Sequence, residues 1–461
     1  MKESKRRTFL FGLTVINVLV AALSVRAETP YAVTWSRQTG GVNLDEGRAV
    51  AVDGSGNAYI SGLASTLAGG NAFLTKYDSA GTLLWSQQVL TGTHSESWSV
   101  AVDGSGSAYI SGSGRGNVAG PSAGNDDAFL IKYDSAGTLL WSRQIGSTIT
   151  DDGRSVAVDS SGNAYISGYT RGNLAGPNAG SSDAFLAKYD STGDLLWSRQ
   201  IGTSTNDLSF SVAADASGGA YITGGTRGSL GGPNAGDFDA FLTKYDSAGA
   251  MLWSRQIGTI ADDVSYSVIV DGSGNAFISG YTSGSLGGAS AGNFDAFLTK
   301  YDSAGTLLWS RQLGTSSDDW SFSVDVDGSG NAYIGGRTRG SLGGPSAGDN
   351  DAYLAKYDSA GSLLWSRQIG TSSSDGGVSA AVDGFGNAYL TGWTGGSLGG
   401  PSAGDFDAFL VKFSPVPEVP EPPALVLLGI GACGLAAVRR RSTQRSGAAA
   451  GTKHTPYSES S

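Results

Sequence analysis

Trp253-Ser254-Arg255-Gln256-Ile257 opens the stretch on which the fold turns. Ser265-Tyr266-Ser267-Val268-Ile269-Val270 follows, then Asn275-Ala276-Phe277-Ile278-Ser279-Gly280, and last Asp295-Ala296-Phe297-Leu298-Thr299-Lys300-Tyr301. Each segment is short, aromatic or β-branched, and bounded by Gly, Ser, Asp or Asn, which is how strands read. Asp271-Gly272-Ser273-Gly274 separates the second segment from the third, and Asp302-Ser303-Ala304-Gly305 follows the fourth. Both are hairpin turns, in which Gly supplies a positive φ and Asp bonds its own backbone. No segment sustains a helical period, so the unit is a four-stranded antiparallel meander.

The unit recurs. Trp35, Trp85, Trp141, Trp197, Trp253, Trp309 and Trp365 stand in the same string, Trp-Ser-(Arg or Gln)-Gln, at intervals of 50 and then five times 56 residues. A sheet unit of about 50 residues fits a propeller blade. The phase is decisive. The region begins with a lone first segment, Tyr31 to Gln38, and ends with a fourth, Asp407 to Phe413, that has no partner after it. Cut as second, third, fourth and first segments, six blades are complete, and the N-terminal segment supplies the outer strand of the seventh. The expected fold is all-β: a seven-bladed β-propeller of four-stranded antiparallel blades over residues 28–414, its ring closed by the N-terminal strand.

Composition agrees. With 72 Gly among 461 residues, 16 Phe, 18 Tyr and 10 Trp, the chain has core material that a disordered chain lacks, and its Gly shows no collagen period. One cysteine excludes a disulfide scaffold, and two histidines, His94 and His454, leave little for a His-rich metal site. A net charge of −11 argues against nucleic acid as a partner.

The chain ends read as sorting segments. Lys2, Lys5, Arg6 and Arg7 precede an apolar run from Phe9 to Val25, and Val25-Arg26-Ala27 suits a signal peptidase, so residues 1–27 are an expected signal peptide. Lys5-Arg6-Arg7-Thr8-Phe9-Leu10 also resembles a twin-arginine motif, and both export routes remain open. Residues 415–423 form a Pro-rich spacer. Ala424 to Val438 is apolar and is followed by Arg439, Arg440 and Arg441, while 442–461 form a polar tail expected to be disordered. A helix over the apolar run is about 22 Å long, short of the roughly 30 Å hydrocarbon core, so a transient membrane contact is expected rather than a permanent anchor.

Pro420-Glu421-Pro422, the apolar run and the arginine cluster over 424–441 resemble the PEP-CTERM signal. That resemblance implies a bacterial chain handled by an exosortase-type sorting enzyme, and an association with extracellular polysaccharide. The long polar tail over 442–461 departs from the usual pattern. The repeats resemble the SBBP family of bacterial β-propeller repeats, and Ser99 to Tyr109 is similar to NHL-type blades. These resemblances imply the fold and no common activity. Asp78, Gly81 and Trp85 stand one residue too close for a quinone-enzyme docking string, so no such cofactor is inferred.

Strand order places the loops between blades, and those joining the third segment to the fourth, on one face. The first set carries Asp151, Asp152, Asp207, Asp262, Asp263, Asp318, Asp319 and Asp375; the second ends in Asp127, Asp183, Asp239, Asp295, Asp351 and Asp407. Blade one has Asn71 there and a loop six residues shorter. The expectation is an acidic rim able to bind sugars with help from Trp98, Trp320 and Trp393, or Ca²⁺ through carboxylates and carbonyls. Against it, each Asp can simply start a strand or cap a turn, and no loop has the Asp-x-Asp-x-Asp-Gly calcium spacing. The lysines at 76, 132, 188, 244, 300, 356 and 412, and the arginines of the Trp strings, read as charges that discourage edge pairing. His94 and Glu96 form a weak acid–base couple at most, and no nucleophile elbow, phosphate loop or zinc helix appears. No catalytic residue or resident metal is assigned. The expected function is a non-catalytic binding or structural module at the cell surface or in a polysaccharide matrix. The alternative is a glycan hydrolase or lyase that uses rim carboxylates.

Overall fold

The computed structural model describes residues 31–416 except 67–68 and 90–93. The expected signal peptide and the sorting residues Pro420, Glu421, Pro422 and Arg439 to Arg441 lie outside the described residues. Among the described residues every regular element is a strand, 28 in all, arranged as seven four-stranded antiparallel sheets. Blades one to six run through their strands in chain order. Blade four is Asp207–Ala214, Ala220–Thr226, Asp239–Tyr245 and Met251–Ile257. Blade seven holds Asp375–Val382, Ala388–Thr394 and Asp407–Pro415, and takes its fourth strand, Tyr31–Thr39, from the other end of the chain.

The first strand of each blade contacts those of its two neighbours, including Asp375–Val382 against Asp45–Val52, so the ring is closed. Repetition of sequence has a direct cause here, because a recurring set of side chains latches one blade to the next. In blade three Trp197 Nε1 donates to Ser247 O at 3.1 Å, Arg199 Nε to Gly249 O at 2.7 Å, and Tyr165 OH to Gly218 O at 2.6 Å, all in blade four. The closing seam uses the same set. Trp35 Nε1 reaches Ser79 O at 3.2 Å, Arg37 Nε reaches Gly81 O at 2.6 Å, and Tyr389 OH reaches Gly56 O at 3.2 Å. The Trp rings meet buried Tyr or Phe rings edge to face, as Trp197 meets Tyr165 at 6.2 Å, which adds to their burial.

The basic residues do more than guard edges. Lys188 lies on a third strand paired on both sides, so it cannot protect an edge. It is buried, with its ammonium 4.8 Å from the Tyr165 ring centroid, 3.6 Å from Asp159 Oδ2 and 3.3 Å from Gly218 O. Burial alone opposes the Asp159 charge. The Asn163 side chain and the N–H groups of Asn163 and Ser161 outweigh it and hold the carboxyl below the usual aspartate range. The turn is thus a charged knot between blades, and Gly162 at φ 80° lets the chain close it.

Candidate functional site

The candidate acids separate into three groups. Asp151, Asp207, Asp263, Asp319 and Asp375 are the first residues of inner strands rather than loop residues, and none is exposed. Asp207 Oδ2 accepts from Thr203 N at 2.6 Å and Thr203 Oγ1 at 2.9 Å, while Oδ1 accepts from the Thr226 hydroxyl. Burial raises the pKa of Asp151, Asp263 and Asp319 despite these bonds. Asp127, Asp183, Asp239, Asp295, Asp351 and Asp407 are equally buried. Asp183 is typical: Oδ2 accepts from Gln200 Nε2 at 2.9 Å and Ala179 N at 2.8 Å, which pins the long loop of its blade. These eleven carboxylates are inside the wall, because each loop turns its own N–H groups onto its Asp. The Asp262 carboxylate accepts from Phe238 N at 3.3 Å, and Asp318 pairs with Arg339 at 2.8 Å. Asp152 joins the channel wall, taking Arg154 Nη2 at 2.7 Å and Tyr169 OH at 2.8 Å.

A different set of residues meets at the channel mouth. Every inner strand carries a β-bulge opposite the second strand, and the extra residue is Arg48, Trp98, Arg154, Phe210, Tyr266, Phe322 or Val378. A bulge leaves one residue unpaired and re-aims its side chain. All seven line a cavity of about 300 Å³ on the axis, together with Arg337 and Trp393. Below them a ring of serines locks the strands: Val212 N donates to Ser155 Oγ at 3.1 Å, and Val268 N to Ser211 Oγ at 3.1 Å. Ala49 is the exception at that level.

The mouth is lopsided. On the side of blades one to three, Trp98 has the Arg48 guanidinium 3.8 Å and that of Arg154 4.0 Å from its ring centroid. Arg48 is paired with Glu46 at 2.9 Å and Glu96 at 2.6 Å. Burial works against the Arg154 charge, but Asp152 and Tyr169 keep its pKa raised. Blades four to six present an aromatic arc, with Phe210 to Tyr266 at 5.0 Å and Tyr266 to Phe322 at 5.3 Å. Arg337 lies over Trp320 at 4.4 Å and Phe322 at 5.4 Å. The arrangement offers flat apolar faces beside fixed cations, a combination that suits ligands with an apolar face and polar edges.

His94 and Glu96 open an inner strand rather than lying in a loop. His94 Nδ1 accepts from Gly70 N at 3.3 Å while Glu96 pairs with Arg48, so the two do not act as a couple. A groove of about 660 Å³ in blade one, lined by Phe73, Thr75, Ser86 and Gln88, is larger than the axial cavity. In the other blades the equivalent Gln holds a loop, as Gln256 Oε1 accepts from Leu230 N at 3.0 Å. The groove is therefore the seat left open by the shorter loop of blade one. Among the described residues no three His, Cys, Asp or Glu side chains converge to hold a metal ion.

Asp325 breaks the symmetry deeper in the wall, where five other blades have Ala and one has Ile269. Its oxygens accept from Val382 N at 2.7 Å and Val326 N at 2.8 Å. Burial raises its pKa to about 6. A carboxyl whose folded pKa exceeds the unfolded value stabilises the fold while protonated, and that contribution fades as pH rises through the folded pKa. Asp325→Ala removes two hydrogen bonds at every pH, and it also removes this slope. Between pH 4 and 7 the variant should gain on the parent by about 2 kcal/mol, read from urea midpoints at each pH. A constant difference across that range would refute the shift.

Fold and mouth together define a closed seven-bladed β-propeller with a constant frame and one divergent axial opening. The SBBP family model, described as "Beta-propeller repeat", matches residues 34–66, 140–175, 252–287, 308–344 and 364–400. It is 27% identical over 257 residues to "Regulatory protein FlaEY" of Caulobacter vibrioides, covering 48% of this chain and 27% of that protein. It is 25% identical over 240 residues to "Uncharacterized WD repeat-containing protein L264" of Acanthamoeba polyphaga mimivirus, covering 40% of this chain and 17% of that protein. The matches thus span less than a third of either relative. Among solved structures it is similar to the polysaccharide lyase Uly1, with a TM-score of 0.48, 12% identity, and coverage of 82% of this chain and 92% of that one. It is also similar to Chaetomium thermophilum Sqt1 bound to the N-terminus of ribosomal protein L10, with a TM-score of 0.46, 10% identity, and coverage of 82% and 98%.

Proposed function

We propose that this chain is an exported, surface-sorted, non-catalytic binding module whose recognition surface is the channel mouth. The expected setting is the cell surface or an extracellular polysaccharide matrix, and the expected ligand is a glycan or a surface protein. One observation carries the reading. Seven positions equivalent by structure hold Arg, Trp, Arg, Phe, Tyr, Phe and Val, while the residues around them repeat. A position needed only for folding would repeat like its neighbours. The alternative, a glycan-processing enzyme, needs a free acid at the mouth, yet Glu46, Glu96 and Asp152 are all held by arginines. The basic, apolar N-terminus and the Pro420-Glu421-Pro422 tail support export and handling by an exosortase-type enzyme.

A glycan array probed with and without chelator tests the binding reading. Trp98→Ala should weaken any retained glycan at least ~10-fold, because flat aromatic anchors dominate such contacts. Polysaccharide turnover abolished by changing one mouth carboxylate would instead establish the enzyme. Mass spectrometry of the mature C-terminus tests the sorting, which predicts an end near Pro422.

A further inference from the structure

We propose that the channel mouth takes a carboxylate-bearing sugar, a uronic acid residue at a saccharide end, with Arg337 as the partner of its carboxylate. This deepens the binding reading and rests on it. Arg337 is the cation of the mouth that the protein leaves unanswered. Arg48 has Glu46 and Glu96, Arg154 has Asp152, and neighbouring Arg339 has Asp318. The Arg337 guanidinium makes no ion pair or hydrogen bond among the described residues, and its Nε is buried without an acceptor. Burial and then the like charge of Arg339 work against its charge, and Tyr266 and Asp318 offset them only in part, so its pKa is lowered. The fold does not ask for it, since the equivalent residues are Leu63, Ser113, Tyr169, Gly225, Tyr281 and Trp393. A guanidinium held flat on Trp320 and Phe322 keeps a hydrogen-bonding edge fixed for a planar carboxylate.

The rest of the mouth fits a sugar better than an acidic peptide. Trp98 Nε1 and Arg154 Nε are buried donors without partners, and Asp152 Oδ1 is a buried acceptor without one. Unanswered donors and acceptors beside one cavity match hydroxyl groups, each of which is both. The Phe210–Tyr266–Phe322 arc supplies the apolar surface against which the C–H face of a sugar ring packs. At about 300 Å³ the cavity is at the small end of ligand sites, which suits a chain end of one or two rings.

The experiment titrates the full chain, by tryptophan fluorescence and calorimetry, with trimers of galacturonate, glucuronate and mannuronate. Their methyl esters, maltotriose and a Glu-rich hexapeptide are the comparison probes. At least one acidic trimer should bind at least ~10-fold more tightly than its ester, with an advantage that shrinks as salt rises. Arg337→Met should erase that advantage, so that acid and ester bind alike. Arg339→Met, the neighbouring cation that is already paired, should keep it. Equal binding of acid and ester, an unaltered preference in Arg337→Met, or tighter binding of the hexapeptide would overturn the proposal. If neutral sugars bind and Trp98→Ala abolishes this, the binding reading survives and only the acidic ligand falls. If no saccharide binds at millimolar concentration, the acidic ligand falls together with the glycan form of the binding reading.

Discussion

A chain starting at Gly40 should melt roughly 10 °C or more below one starting at Tyr31. The nine residues that separate them form the strand that pairs from Tyr31↔Pro415 to Thr39↔Ala408. Tyr31 is buried, 4.7 Å from the Trp365 ring, with its hydroxyl 2.8 Å from Gly386 O. Losing a packed aromatic of this kind costs about 3–5 kcal/mol, and each ladder hydrogen bond adds about 1 kcal/mol. Trp35 and Arg37 leave as well, and they carry two of the latches from blade seven to blade one. In an open array the damage would stop at the last sheet, because each repeat leans only on its neighbours. In a ring it opens a seam between the two ends. Differential scanning calorimetry of the two chains decides. Equal melting temperatures would mean that the N-terminal strand does not close the ring.

The fold is legible because the residues that make it repeat. Trp197, Arg199, Tyr165 and Lys188 recur in sequence since each reaches the next blade in the same way. The lone strand at one end and the missing strand at the other then give the closure. The lysines mislead because a charge on a strand suggests an edge, whereas their stems cross to the adjacent turn and need the pairing on both sides. The acids mislead for a related reason. Asp183 and Asp207 stand in polar, Gly-rich stretches that read as exposed, yet both fold inward onto loop N–H groups. Their partners are visible in the string, because Gln200 and Thr203 repeat much as the acids do. An acid that recurs with its donor belongs to the frame.

The mouth is hidden by the bulges. In Gly47-Arg48-Ala49-Val50 simple alternation puts Arg48 and Val50 on one face, but one extra residue flips the register, and a one-residue slip exchanges the faces. The usable signal is divergence. Arg48, Trp98, Arg154, Phe210, Tyr266, Phe322 and Val378 are the same position in seven units, yet they hold two cations, four aromatics and one aliphatic residue. In a chain this repetitive, function is sought where the copies disagree.

The bulge itself rests on a glycine, and Gly280→Ala should destabilise the protein by about 3 kcal/mol or more while weakening binding at the mouth. Gly280 faces the bulge of blade five, and a Cβ there would run into the carbonyl oxygen of Val264, with Ser265 Cα only 2.8 Å away. The obstruction is backbone, so no side chain can swing aside. Gly62, Gly112, Gly168, Gly224, Gly336 and Gly392 meet the same carbonyl in their blades, which explains why this glycine recurs in every repeat. Relief requires the inner strand to draw back between Val264 and Ser267. That movement takes Tyr266 out of the aromatic arc, where it touches both Phe210 and Phe322. Stability and ligand affinity should therefore fall together, although Gly280 does not line the cavity. Gly272→Ala in the same blade is the control, because nothing lies within 4 Å of the added carbon, and it should change stability by less than ~0.5 kcal/mol. Urea melts and ligand titrations of the two variants separate the cases. If Gly280→Ala matches Gly272→Ala in both, the bulge is not held by that close approach, and the link from repeated glycine to divergent mouth is broken.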